Sequence, residues 1–232
     1  MVTKNIITAQ DFRAMVEIGE ARLSENAEFV NSLNVFPVPD GDTGTNMSLS
    51  FKSGAERVAN SSAQTVGELA QDLAKGLLMG ARGNSGVILS QILRGFYLGS
   101  KESVTLDVET IKECFVNAYK VAYKSVIKPT EGTILTVIRE MGEYAEANYT
   151  RFDDEVEFCK EILKEGYTRE NHSATRFYVS HGASDQVIPV EWARQTPEFL
   201  KNLGIKYKYE EFPVGHTVSP QNFYSFRNWL IE

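Results

Sequence analysis

Cysteine is scarce in this sequence. Cys114 and Cys159 stand in helix-like segments with no CxxC or Cys/His spacing, so buried thiols are expected, not a disulfide framework or a zinc site. Lysine-rich runs are absent and the net charge is −7, which argues against duplex nucleic acid or an anionic membrane as a partner. Apolar runs fall short of the roughly 20 residues that a membrane helix needs, so no membrane span is expected. The opening stretch "MVTKNIITAQDFRAMV" has no apolar core of signal-peptide length. A cytoplasmic protein is the expectation. Repeats and low-complexity segments are missing too. What remains is an ordinary globular composition, 42% hydrophobic over 232 residues, enough for one good core or two modest ones.

From Thr8 to about Tyr167 the pattern is helical. Thr8 with Asp11 forms a capping pair before Phe12, Met15 and Val16, and Phe29, Val30 and Leu33 continue that spacing. Met47, Phe51, Ala55 and Val58 predict a second helix. Thr65 with Glu68 opens another, with Leu69, Leu73 and Leu77 on one stripe. Gly83 to Gly86 interrupts before "VILSQILRGFYL". Asp107 caps "VETIKECFVNAYKVAYKSVI", which stops at Lys128-Pro129, and two further helices follow. The reading is mainly α: about seven helices in an antiparallel barrel or bundle.

The remainder changes grammar. "RFYVSHG" reads as a strand, "VEWARQTPEFLKNLG" as one helix stopped by Gly204, "IKYKYEEFPV" as a strand and "PQNFYSFRNWLIE" as a helix. This is a short α/β tail of β-α-β-α order. The expected organisation is a helical domain over 1–167, a polar junction over 168–175 and a tail over 176–232.

The chemistry is suggested by "NVFPVPDGDTGTNM". Asp40 and Asp42 flank Gly41, Pro37 and Pro39 stiffen the approach, and Asn34 offers a neutral oxygen. Two like charges so close are costly without a cation, and magnesium takes such hard oxygen ligands. Thr43, Gly44, Thr45 and Asn46 then stand at a helix start, where amides and the helix dipole favour phosphate. A surface turn capping a helix is the plainer alternative. A second segment, "GLLMGARGNSGVILSQ", places Gly80, Arg82, Gly83, Asn84 and Ser85 between two helical runs. It fits neither the Walker A nor the dinucleotide-binding spacing. It is either an anion-binding corner or a plain helix–helix corner. A third, "KPTEGTILTV", puts Gly132 and Thr133 at a helix start. The three are expected at one end of a barrel.

"SLNVFPVPDGDTGTNM", "GLLMGARGNSGVILSQILRGF" and "KPTEGTILTV" resemble, in order, the nucleotide-binding domain of the fatty acid kinase catalytic subunit, related to the ADP-binding subunit of dihydroxyacetone kinase. The resemblance implies an antiparallel helical barrel that binds ATP or ADP with two Mg²⁺ ions. It implies Asp40 and Asp42 as metal ligands, with Asn34 as a third. The implied phosphate-contacting positions are Thr43, Thr45, Asn46, Gly83, Asn84 and Ser85. It further implies phosphoryl transfer to a fatty acid carboxylate held by a separate fatty-acid-binding protein, without a side-chain nucleophile.

The tail resembles the last part of a carboxylesterase or lysophospholipase of the α/β-hydrolase type. Asp185 would match the triad acid and His216 the general base. No serine lies on a G-x-S-x-G elbow, so the nucleophile is missing. His216 then reads as a general base or as a structural histidine, while His172 and His181 read as solvated or turn histidines. Two alternatives to the kinase reading stand: a hydrolase fragment, and a non-catalytic chimera whose apolar tail drives homo-oligomer formation.

Overall fold

The computed structural model describes residues 6–34, 40–167, 176–202 and 206–231. Pro37, Pro39, His172, Gly204 and the junction over 168–175 lie outside them.

The capping signals place the helices. In α1 (Ala9–Glu25) the Thr8 amide donates to Asp11 Oδ2 at 2.9 Å and the Asp11 amide donates to Thr8 Oγ1 at 3.3 Å. Those bonds from Thr8 hold the Asp11 carboxyl below its ordinary range. The expected first helix breaks at Asn26, and its second half is α2 (Ala27–Ser32). The Asn26 side-chain amide bonds back to the Arg22 carbonyl at 2.7 Å, the local competition that makes asparagine a poor helix-interior residue. Then come α3 (Thr43–Ala59), α4 (Val66–Gly80), capped by Thr65, and α5 (Gly83–Ser100). α6 (Val108–Ser125) is capped by Asp107, which accepts from the Thr110 amide at 2.8 Å. α7 (Ile134–Asn148), a 3-10 turn (Tyr149–Arg151) and α8 (Glu155–Tyr167) complete the series.

Short connections fold α3 to α7 back on one another, each packing on the next, and α1 and α2 lie against α3. This is a helical bundle. The Leu69–Leu73–Leu77 stripe of α4 is buried with Phe12, Val16, Val58, Ile111, Phe158 and Ile162. Each such side chain contributes about 1.5–3 kcal/mol by leaving water. Cys114 is fully buried, and burial pushes its thiol up to about 12. Cys159 is only partly buried, and burial pushes it to about 11. Neither is a ready nucleophile.

The chain divides into two compact units, Met1–Gly166 and Tyr167–Glu232. In the second, β1 (Arg176–Gly182) pairs in parallel with β2 (Lys206–Phe212), from Arg176↔Lys206 to Gly182↔Phe212. Between them the expected single helix is split into α9 (Val190–Ala193) and α10 (Gln195–Asn202). Pro197 has no N–H for the Ala193 carbonyl and its ring crowds that oxygen, so the chain resets there. α11 (Pro220–Ile231) packs on β1, with Tyr178 against Phe226 and Trp229 at ring separations of 5.4 and 5.5 Å.

Candidate functional site

Glycine decides how closely the acidic loop and the glycine-rich corner approach. Gly76, Gly80, Gly83 and Gly86 line the end of α4 and the start of α5. A methyl group on any of them would collide with α3: with Gly54 and Ser53, with Ser53, with Asn46, or with Ser50 respectively. Small residues on both sides bring the helix backbones together. The corner holds Gly83 at a φ of +56°, a left-handed conformation that glycine adopts without strain. Ser85 Oγ reaches back to the Thr43 carbonyl at 3.4 Å, and the Arg82 amide donates to Ser50 Oγ at 3.0 Å. Thr43, Asn46, Arg82, Gly83 and Ser85 therefore meet at one place, beside the N-terminal turn of α3.

Asp40 and Asp42 are exposed, with Gly41 between them at a φ of +67°. Asp42 precedes α3, yet its side chain makes no capping bond; the turn is closed by its carbonyl, which accepts from the Asn46 amide at 2.8 Å. The carboxylate is thus not spent on the helix. The Asn34 side-chain amide donates to Asp40 Oδ1 at 2.7 Å and orients that carboxylate. An oxygen-rich set of two carboxylates and one carboxamide, at the positive end of a helix, suits a hard divalent cation. No group of three His, Cys, Asp or Glu side chains able to hold a metal exists among the described residues. The fit therefore rests on two carboxylates with phosphate oxygens completing the shell.

Two residues beyond the sequence reading build this site. Asn31 on α2 accepts from the Thr45 amide at 3.1 Å and donates to Thr45 Oγ1 at 3.0 Å. It fixes the first turn of α3 and engages the Thr45 amide that was expected to face phosphate. Gly44 is buried against α2, where a methyl group would strike the Ala27 carbonyl oxygen. Ser50 is the other.

The third loop is built for capping. Thr133 Oγ1 accepts from the Leu135 amide at 3.3 Å and donates to the Thr130 carbonyl at 2.8 Å. Glu131 receives Thr136 at 2.6 Å, Tyr123 at 2.8 Å and Arg139 at 3.2 Å, and the first two of these lead in holding its carboxyl low. Ile88 and Ile134 pack on one small apolar cluster of Ile92, Ala118, Ala122, Leu135 and Ile138. The helix starts after the second and third loops thus share a core cluster. A groove of about 460 Å³ lies elsewhere, between α1 and the second half of α3 (Arg13, Glu17, Lys52, Glu56).

In the second unit Asp185 follows β1 and His216 follows β2, at the carboxyl ends of two parallel strands. His216 Nδ1 and Asp185 Oδ2 are 2.9 Å apart. The Asp185 side chain is 4% exposed and accepts from the Ile188 amide at 3.0 Å and the Val187 amide at 2.8 Å. Led by the Ile188 amide, with His216 and Val187 assisting, these bonds bring its carboxyl down to about 2 against the opposing effect of burial. His181, expected to be solvated, is instead largely buried, with Nε2 2.9 Å from the Ile188 carbonyl and 3.7 Å from Asp185.

Comparison with known proteins places the helical unit. The family model described as DAK2 domain matches residues 37–176. An uncharacterized protein of Staphylococcus epidermidis is 48% identical over 163 residues, 70% of this chain and 28% of that protein. An uncharacterized protein of Staphylococcus saprophyticus is 48% identical over 165 residues, 71% of this chain and 30% of its own length. One from Staphylococcus aureus is 45% identical over 163 residues. This chain belongs to the DAK2 domain family, a dihydroxyacetone-kinase-like group. It spans less than a third of the length of the curated relatives it matches. Among the described residues no helix is long and apolar enough to cross a membrane.

Proposed function

We propose that the helical unit binds a magnesium–nucleotide complex and supports phosphoryl transfer from ATP to a fatty acid carboxylate presented by a separate binding protein. The observation that carries the reading is the direct meeting of the acidic-loop helix with the glycine-rich corner, through Ser85 to Thr43 and Gly83 against Asn46. Asp40 and Asp42 would hold the cation, with Asn34 orienting Asp40. The amides at Gly83, Asn84 and Ser85, at the N-terminus of α5, would receive phosphate oxygens, and those at Thr43 and Gly44 would do so at α3. Magnesium, when bound, neutralises charge on the phosphates. In the transfer a carboxylate oxygen forms a bond to the γ-phosphorus while the bond to the β,γ-bridging oxygen breaks and leaves ADP. Positioning and charge stabilisation supply most of the catalysis in such reactions, so no side-chain nucleophile is required.

The test is thermal melting with ADP or ATP, with and without Mg²⁺. Magnesium-dependent stabilisation is expected in the parent and not in Asp40→Ala/Asp42→Ala. A parent that melts identically in all conditions refutes the reading.

The Asp185–His216 pair supports a second reading for the tail, that of the acid and base of a hydrolase whose serine comes from another chain. A buried carboxylate fixed by two amides holds one ring nitrogen, which leaves Nε2 to take a proton. Hydrolysis of a short-chain nitrophenyl ester that disappears in His216→Ala is the expected sign; no hydrolysis by the parent removes it.

A further inference from the structure

We propose that Ser50 is a positioning residue for the nucleotide. It sets the gap between the acidic-loop helix and the glycine-rich corner. The inference rests on the nucleotide reading above and names a residue in no expected ligand set.

Ser50 lies on α3, one turn beyond Asn46, and is fully buried. Its hydroxyl donates to the Asn46 carbonyl at 2.6 Å and accepts from the Arg82 amide at 3.0 Å. The first bond is common for a helical serine and carries little by itself. Ser90 and Ser100 make the same kind of bond, each within its own helix. Ser50 differs in the second bond, which crosses to another element. The donor there is the amide of the residue that precedes α5, where the chain turns to present Gly83, Asn84 and Ser85. One hydroxyl thus ties the α3 backbone at Asn46 to the backbone of the corner.

Gly86 completes the arrangement. A methyl group on its Cα would collide with Ser50 Oγ, while Ser50 Cβ and the Asn46 carbonyl oxygen would both be 3.3 Å away, contacts that small shifts relieve. The hydroxyl is therefore enclosed by the Asn46 carbonyl, the Arg82 amide and the Gly86 Cα. Without it, the Arg82 amide loses its acceptor in a closely packed corner, a loss the chain offsets by turning that amide elsewhere. Turning it re-aims the three amides that follow.

The test is calorimetric titration of Mg·ADP into the full chain, with the melting temperature of nucleotide-free protein measured alongside. Ser50→Ala is expected to weaken Mg·ADP about tenfold while shifting the nucleotide-free melting by a few degrees at most. Gly86→Ala is expected to weaken binding by pushing the hydroxyl out of place. The double variant should bind no worse than Gly86→Ala alone, because removing the hydroxyl removes the collision. Ser50→Ala that melts lower yet binds Mg·ADP within twofold of the parent shows a merely structural serine and overturns the proposal. So do effects of the two substitutions that simply multiply. A parent that binds no Mg·ADP refutes the nucleotide reading and this inference with it, an outcome distinct from a parent and a variant that bind alike. Should Ser50→Ala not fold, Ser50→Thr keeps the hydroxyl and is expected to bind within about threefold of the parent; a folded threonine variant that binds tenfold more weakly overturns the proposal.

Discussion

Gly83 lies against the Asn46 side-chain amide so closely that a methyl group on its Cα would come within 2.5 Å of Asn46 Nδ2. Its φ of +56° adds a second demand that only glycine meets cheaply. Gly83→Ala must therefore strain the backbone and displace Asn46 together. The expected stability loss is about 1–3 kcal/mol. Because the displaced groups line the proposed phosphate site, Mg·ADP affinity should fall at least tenfold. A variant that loses stability but binds the nucleotide normally separates the corner from the site.

Asn31 gives a milder test of the same region from the other side. Its carboxamide holds both the amide and the hydroxyl of Thr45, and no charge is involved. Asn31→Ala should cost about 1–2 kcal/mol, the net worth of two neutral hydrogen bonds at a partly exposed position. Nucleotide affinity should fall by severalfold as the first turn of α3 loosens. Asn31→Asp keeps the acceptor for the Thr45 amide and adds negative charge near the helix N-terminus. It should retain more stability than the alanine variant, as read by chemical unfolding.

A structural anchor lies well away from the site. Arg13 on α1 spreads its guanidinium over three carbonyls at and beyond the end of α3, those of Val58 at 2.5 Å, Ser61 at 2.9 Å and Ala63 at 2.8 Å. These are terminal and post-helical acceptors that the helix ladder does not satisfy. Arg13→Ala should cost about 2 kcal/mol through lost charged hydrogen bonds. For a unit of this size that lowers the melting temperature by roughly 4–8 °C. Arg13→Lys recovers only part of it, since an ammonium lacks the fork that spans three acceptors. Far-ultraviolet circular dichroism follows the melt, and equal melting of parent and alanine variant would refute the role.

Local signals were legible in the sequence, and non-local ones were not. The caps at Thr8, Thr65 and Asp107 stand where spacing puts them, because a cap is a contact between residues three apart. Asn26 and Pro197 show the limit of periodicity. Each leaves the apolar spacing intact while its own backbone chemistry ends the helix. At the site, the acidic loop and the glycine-rich corner were visible because unusual residues cluster in each. Asn31 and Ser50 were not, since an asparagine or serine on a helix is unremarkable until its partner 14 or 32 positions away is known. Thr133 illustrates the opposite case: the helix start was legible, and capping α7 accounts for its hydroxyl.

Acid should unfold the second unit through Asp185. Its carboxyl is held at about 2 in the folded chain against an ordinary value of 3.8. A carboxyl depressed by folding contributes its full stabilisation above the ordinary value and loses it as pH falls toward the folded one. The loss therefore falls between about pH 4 and pH 2. Glu211 on β2, held at about 2 chiefly by its pair of bonds to Arg194, both 2.8 Å, titrates across the same window. Asp185→Asn should accordingly reduce the pH dependence without abolishing it. Trp192 and Trp229, the chain's two tryptophans, both lie in this unit, so their fluorescence reports it without interference from the helical bundle. Urea midpoints measured by that fluorescence should drop steeply below pH 4 in the parent and less steeply in the variant. Equal slopes would mean that the amides of Val187 and Ile188 and the His216 ring do not hold Asp185 ionised as the geometry requires.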